Sequence, residues 1–256
     1  ISTFGSVVVN GVRYETDSAV ILVNETPGSQ SDLEVGDVVT VRGSINEDNV
    51  TGTADEVTFE EAVTGPVDSI DFASRLLVVL GQTIRVTPDT SFDDSFAPAA
   101  LDGVSVGQVV EVSGLIDANG DIVATRIEPK SAGSEFEVHG IVSSLDTTAL
   151  RFNLGSLVVD YSAATLDDFQ GGVINNGDFV EANGMTLGGA GELIATRVEL
   201  ESLFPDVNEN DFAEIEGFIT RFADAADFDI AGFPVTTNAQ TVFKSGTAAD
   251  LGLNVK

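Results

Sequence analysis

His139 is the only histidine in a chain without cysteine, so a catalytic machine of the nucleophile–imidazole type would have to run through that one side chain. It stands between Val138 and Gly140 in an alternating run, where a solvent-facing strand position is the expected reading. The acids pose the opposite problem. There are 42 Asp plus Glu against 11 Lys plus Arg, so carboxylate pairs able to act as acid and base are everywhere and none is singled out. No Gly-x-Gly-x-x-Gly opens a helix, and no Gly-Lys-Ser/Thr phosphate loop occurs. Enzymatic activity is not expected.

Arg126 and Arg197 occupy equivalent places in a recurring Ala-Thr-Arg-Ile/Val-Glu sequence, followed two residues later by Glu128 and Glu199. They could form a repeated anion site. The expected reading is structural: each pairs with neighbouring carboxylates and lays its stem over apolar surface. Calcium is the one cofactor the composition invites, because hard cations need closely spaced oxygen ligands. Asp206, Asn208 and Asn210 alternate as oxygen donors in a linker and form the candidate metal site. The loop lacks the central Gly and distant Glu of an EF-hand, so a solvated acidic linker is the competing reading. Asp93-Asp94 and Asp167-Asp168 fall at matching loop positions and could contribute.

The formal net charge is −31. It argues against nucleic acid, whose binding runs on Lys/Arg neutralisation of phosphates, and against anionic membrane surfaces. No stretch approaches the ~18 apolar residues of a membrane span, so direct insertion is not expected. Only Lys130, Lys244 and Lys256 are lysines, and heavy acidity with little lysine suits an exported, salt-exposed protein.

The elements that must position these residues come in repeats. Gly36-Asp37-Val38-Val39, Gly107-Gln108-Val109-Val110 and Gly177-Asp178-Phe179-Val180 each lead into alternation and a further Gly: Gly43, Gly114 or Gly184. Ala124–Glu128 and Ala195–Glu199 follow, degraded in the first unit to Ala54-Asp55-Glu56-Val57. Gly65-Pro66-Val67, Gly140-Ile141-Val142 and Gly217-Phe218-Ile219 open the later units. Three markers in one order, at a period of roughly 70–77 residues, define a tandem array. The units are 1–63, 64–135, 136–212 (with the acidic linker) and 213–256.

Within a unit the pattern is all-β. In the third, strands are expected at 136–145, 150–154, 157–161, 177–185 and 193–200, with a short helix or capping loop over 162–176. Asn10-Gly11, between Val7-Val8-Val9 and Val12-Arg13-Tyr14, is a strong hairpin signal. Five short strands with the loop between the third and fourth is the order of an OB-like barrel, so the expected fold is a tandem array of small five-stranded OB-like β-barrels. An open sandwich of the same strands is the alternative.

The markers Gly-x-Val/Ile-x-Ser-Ile/Leu-Asp, Gly-x-x-Val-x-Val-x-Gly and Ala-Thr-Arg-Ile/Val-Glu resemble a bacterial family of unknown function that occurs in tandem in exported proteins, often lipoproteins. The match covers the second and third units well and the others in part. The resemblance implies an exported, all-β, tandem-barrel protein and carries no catalytic residues.

Aligning the unit openings sets Ile1 opposite Val67, Val142 and Ile219, and ends the fourth unit inside its fourth strand. An incomplete fourth repeat has edges that a second copy could fill by strand addition. The functional expectation is a non-catalytic extracellular structural protein that associates end to end into a filament, surface coat or matrix. In this picture Ala248–Lys256 lies against a neighbouring copy near Ile1–Phe4. The alternative is a periplasmic or cell-surface binding module for an unknown ligand, with calcium dependence as one form of it.

Overall fold

A computed structural model describes residues 5–202 and 213–256. The protein is all-β, and its helical pieces among the described residues are single 3-10 turns. Repeat one contributes β1 (Ser6–Val9), β2 (Val12–Glu15), β3 (Val20–Val23), β4 (Thr26–Pro27), β5 (Val39–Ile45) and β6 (Thr51–Phe59). Repeat two contributes β7 (Val63–Asp71), β8 (Leu76–Val79), β9 (Gln82–Arg85), β10 (Ser91–Phe92), β11 (Val109–Ile116) and β12 (Ile122–Pro129).

In repeat two the pairings return to their starting strand. β7 pairs antiparallel with β8 and β8 with β9. β9 runs parallel to β12, β12 antiparallel to β11, and β11 antiparallel to β7. The period-2 alternation explains the interior: Val67, Val79, Ile84, Val110, Val112 and Ile127 all point inward and are buried. Each such side chain contributes about 1.5–3 kcal/mol on leaving water.

Repeat three has the same scheme with a broken last strand: β13 (Phe136–Asp146), β14 (Arg151–Leu154), β15 (Leu157–Asp160), β16 (Thr165–Asp167), β17 (Phe179–Gly184), β18 (Thr186–Leu187), β19 (Leu193–Ile194) and β20 (Arg197–Leu200). β13 pairs with β14 and β17, β15 lies parallel to β19, and β20 returns to β17. The segment 162–176 forms β16 and one 3-10 turn at Gln170–Gly172, a capping loop rather than an α-helix. Phe169 and Ile174 of this loop close the core.

The first strands of repeats two and three pair with each other, Val63 opposite Val138 and Thr64 opposite Glu137. The two repeats therefore share one sheet path and one hydrophobic core. Because Val63 and Val138 are equivalent positions, this contact is a local pseudo-two-fold.

Among the described residues, repeat one does not close its pairing. β2 and β3 lie parallel to β6 and β5 antiparallel to it, and β1 pairs there with β2 alone. The hairpin corrects the expected alignment of Ile1 with Val67. Asn10-Gly11 has the left-handed turn also found at Leu80-Gly81 and Ala231-Gly232, so β1 and β2 match β8 and β9, and Val67 corresponds to a position ahead of Ile1. Val110, Val180, Val57, Ile127 and Val198 are buried as the repeat alignment requires, but Val39 is only half-buried, since no described strand pairs with the free side of β5.

Glycines 43, 114 and 184 lie within their strands rather than after them. A Cβ would stand 2.1 Å from the Thr53 carbonyl oxygen, 2.7 Å from that of Val123 and 2.5 Å from that of Ile194. The register of β5 and β11 slips at this glycine, a bulge that lets two backbones approach more closely than any side chain allows.

Repeat four consists of β21 (Ile219–Asp224), β22 (Asp227–Ile230) and β23 (Phe233–Val235). Ile219 donates to the Val255 carbonyl at 2.8 Å and accepts from the Asn254 amide at 3.0 Å. The same two bonds join Val67 to Gln108 and Gly107, and Val142 to Asp178 and Gly177. The final residues thus take the place that precedes strand four, without forming that strand. Lys256 also pairs with Glu216 at 2.5 Å.

Candidate functional site

The outer face of the joined sheet carries polar side chains opposite the shared core. Directly opposed residues form one row, Glu128–Glu111–Thr64–Glu137–Asn183–Arg197. Beside it runs Arg126–Ser113–Ala62–His139–Glu181–Glu199, in which backbone hydrogen bonds place Ala62 between β11 and β13. Rotation about the Val63–Val138 contact carries either row onto the other. Such a face would ordinarily be solvated. Here repeat one lies over it, and Glu61, Glu111, Glu137, Glu181, Asn183 and Glu199 are all buried.

Burial of so many carboxylates has electrostatic consequences. Glu111 is pushed up to about 7, first by desolvation and then by the charge of Glu61, against the pull of Lys130. Desolvation also raises Glu137 and Glu61, each further raised by a neighbouring carboxylate. Burial alone would lower the His139 imidazole. The hydrogen bond and charge of Glu137, with the charges of Glu181 and Glu60, outweigh that and hold it above its ordinary value.

The expectation that His139 faces solvent is therefore corrected. Its side chain is 9% exposed, its Nε2 lies 3.2 Å from Glu137 Oε1, and its ring packs 6.3 Å from that of Phe179. The ligating atoms of Glu137, His139 and Glu181 lie within 4.8 Å of one another, as do those of Glu25, Glu199 and Glu201. These two groups could hold a metal. Asp206, Asn208 and Asn210, the sequence candidates, lie outside the described residues.

The two arginines do what the structural reading requires. Arg126, 6% exposed at its side chain, meets Glu34 at 2.6 Å, Glu128 at 3.1 Å and Asp93 at 3.3 Å. Arg197 meets Asp167 and Glu25, both at 3.0 Å, and Glu199. Asp93 and Asp167 are thus taken by arginine. Glu34 and Glu25 belong to repeat one, so the equivalent arginines of repeats two and three both clamp it to the joined sheet.

Sequence reasoning missed the buried acids. Their available signal was the outward position between core residues, Val110-Glu111-Val112 and Val180-Glu181-Ala182, which reads as a solvated face unless something covers it.

A cleft of about 950 Å³ borders repeat one. Val7, Val9, Tyr14, Val39 and Val41 are among its lining residues, and Ile215 and Lys256 of repeat four close its far side. It lies between β1 and β5, where repeat two has β7 between β8 and β11.

No curated protein matches the chain. A solved structure described as Drosophila Unr CSD456 is similar at 13% identity over 75% of this chain and 85% of that one, with a TM-score of 0.23, too distant a likeness to define a fold. A family profile, by contrast, matches four times in tandem, over residues 1–58, 64–128, 139–199 and 216–256. The chain belongs to the family described as Domain of unknown function (DUF5666).

Proposed function

We propose that each repeat is built on a five-stranded OB-like barrel and that the array is a non-catalytic, exported structural protein which self-associates into a filament, coat or matrix. The observation that carries this reading is the use of the repeat-defining positions. Arg126 and Arg197 are spent on contacts with repeat one, and the first strands of repeats two and three on each other. Repeat surfaces that recognise other repeats within a chain can recognise them between chains. The 1-2-3-5-4-1 order of pairing in repeats two and three supports the barrel. A net charge of −31 supports an exported location and weighs against nucleic acid as partner.

Light scattering and electron microscopy across a concentration series test this. Ordered assemblies larger than a monomer are expected. A strictly monomeric protein at high concentration and physiological salt overturns the proposal. The cleft favours a second reading, a cell-surface binding module that takes a peptide against Val7, Tyr14, Val39 and Val41. Protection of β1 and β5 from hydrogen exchange by added peptide, without assembly, would favour it.

A further inference from the structure

The pseudo-two-fold makes each half of the polar face a control for the other, and the halves differ in charge. In the repeat-two half, Lys130 places its ammonium 2.6 Å from Glu111 and 2.8 Å from Glu128. The equivalents of these acids are Glu181 and Glu199, and the equivalent of Lys130 is Glu201: Lys130 and Glu201 donate their amides to Val109 and Phe179, themselves equivalent. The lysine of one half is an acid in the other. The repeat-three half gains a further acid, Glu137, where the repeat-two half has Ala62, and a histidine, His139, where that half has Thr64. Buried carboxylates are costly unless paired, and this half has Arg197 for Glu199 and His139 for Glu137 but no lysine for Glu181.

A second observation is independent of the acids. Asn183 is 7% exposed and its Oδ1 has no hydrogen-bond partner among the described residues. Its amide nitrogen points into the cluster, 2.5 Å from Glu181 Oε1 and 3.5 Å from Glu137 Oε2. Turning the amide over brings Oδ1 to that place at no change in shape, where it would be a ligand for a cation held between the carboxylates. We propose that Glu137, His139, Glu181 and Asn183 form a binding site for one divalent transition-metal ion of the Zn²⁺ class, in the half of the face where Glu201 replaces the Lys130 ammonium. Two carboxylates, an imidazole and an amide oxygen supply four ligands, the number and donor type that suit Zn²⁺. The ligands come two from β13 and two from β17, at i and i+2 on facing strands, so the sheet itself holds their spacing.

The test is titration of the chelator-treated full chain with Zn²⁺ by calorimetry, with melting followed in parallel and Ca²⁺ and Mg²⁺ as comparison ions. Uptake of one Zn²⁺ per chain with a rise in melting temperature is expected. His139→Thr installs the residue of the equivalent position, and Glu201→Lys installs the missing ammonium. Each should weaken Zn²⁺ binding at least about tenfold, and Glu201→Lys should raise the melting temperature of the metal-free protein. Should His139→Thr fail to fold, Glu201→Lys decides. Absence of stoichiometric Zn²⁺ uptake, unchanged uptake in Glu201→Lys, or selective uptake of Ca²⁺ over Zn²⁺ would each overturn the proposal.

Discussion

Repeats one and two have matching hairpins, bulged glycines and last strands, yet among the described residues only repeat two closes its pairing. The effect is visible at paired positions. Val110 and Val112 are fully buried, whereas their counterparts Val39 and Val41 are half-buried. The last strand is insensitive to closure, since Val57 and Ile127 are equally buried. The last strand thus organises the unit without help from the first, while the fourth strand is fully buried only where the first pairs with it.

Charging the same position in both repeats should separate them most strongly. Val110→Asp buries a carboxylate without a partner and should cost more than about 4 kcal/mol, read by denaturant unfolding. Val39→Asp keeps access to water and should cost about 1 kcal/mol. Equal costs would mean that repeat one is sealed in solution. Next in size is the clamp. Arg126→Ala leaves Glu34, Asp93 and Glu128 without their shared guanidinium, and should cost about 3 kcal/mol. Hydrogen exchange should accelerate around Gly36, whose backbone packs against Thr125 and Arg126, more than in the core of repeat two.

What is common to both repeats should respond alike. Gly43→Ala and Gly114→Ala each force a Cβ into the facing strand, and each should cost about 1–3 kcal/mol. The smallest effect expected concerns pH. Glu111 titrates higher folded than unfolded, so the folded state binds more protons and stability falls as pH rises from 4.5 towards 7. The groups facing it are Glu61, Glu128 and Lys130. Glu111→Gln should flatten that fall, while Glu47→Gln on an exposed loop of repeat one should leave it unchanged. A steeper fall in Glu111→Gln would invalidate the assignment.

The architecture was legible where backbone and pattern speak directly. Asn10-Gly11 announces its turn because both residues accept positive φ. Leu80-Gly81 makes the same turn unannounced: Leu80 is held at φ 45° and is buried, with its side chain over Gly65. Tertiary packing there outweighs local preference. The core valines were readable from alternation alone. The polar face was not, because alternation separates inward from outward but says nothing of what covers the outward side. His139, Glu111 and Glu181 read as solvated for that reason, and only the placement of repeat one over the joined sheet buries them.

The pairing of Val63 with Val138 also bears on how such arrays can lengthen. A two-fold contact consumes the same edge on both members and leaves nothing for a third. Duplicating one repeat would add a first-strand edge with no mate, an exposed row of backbone donors and acceptors. Duplicating a pair adds none. Inheritance in this architecture is therefore expected to count in twos, with the doublet, rather than the single repeat, as the unit of gain and loss.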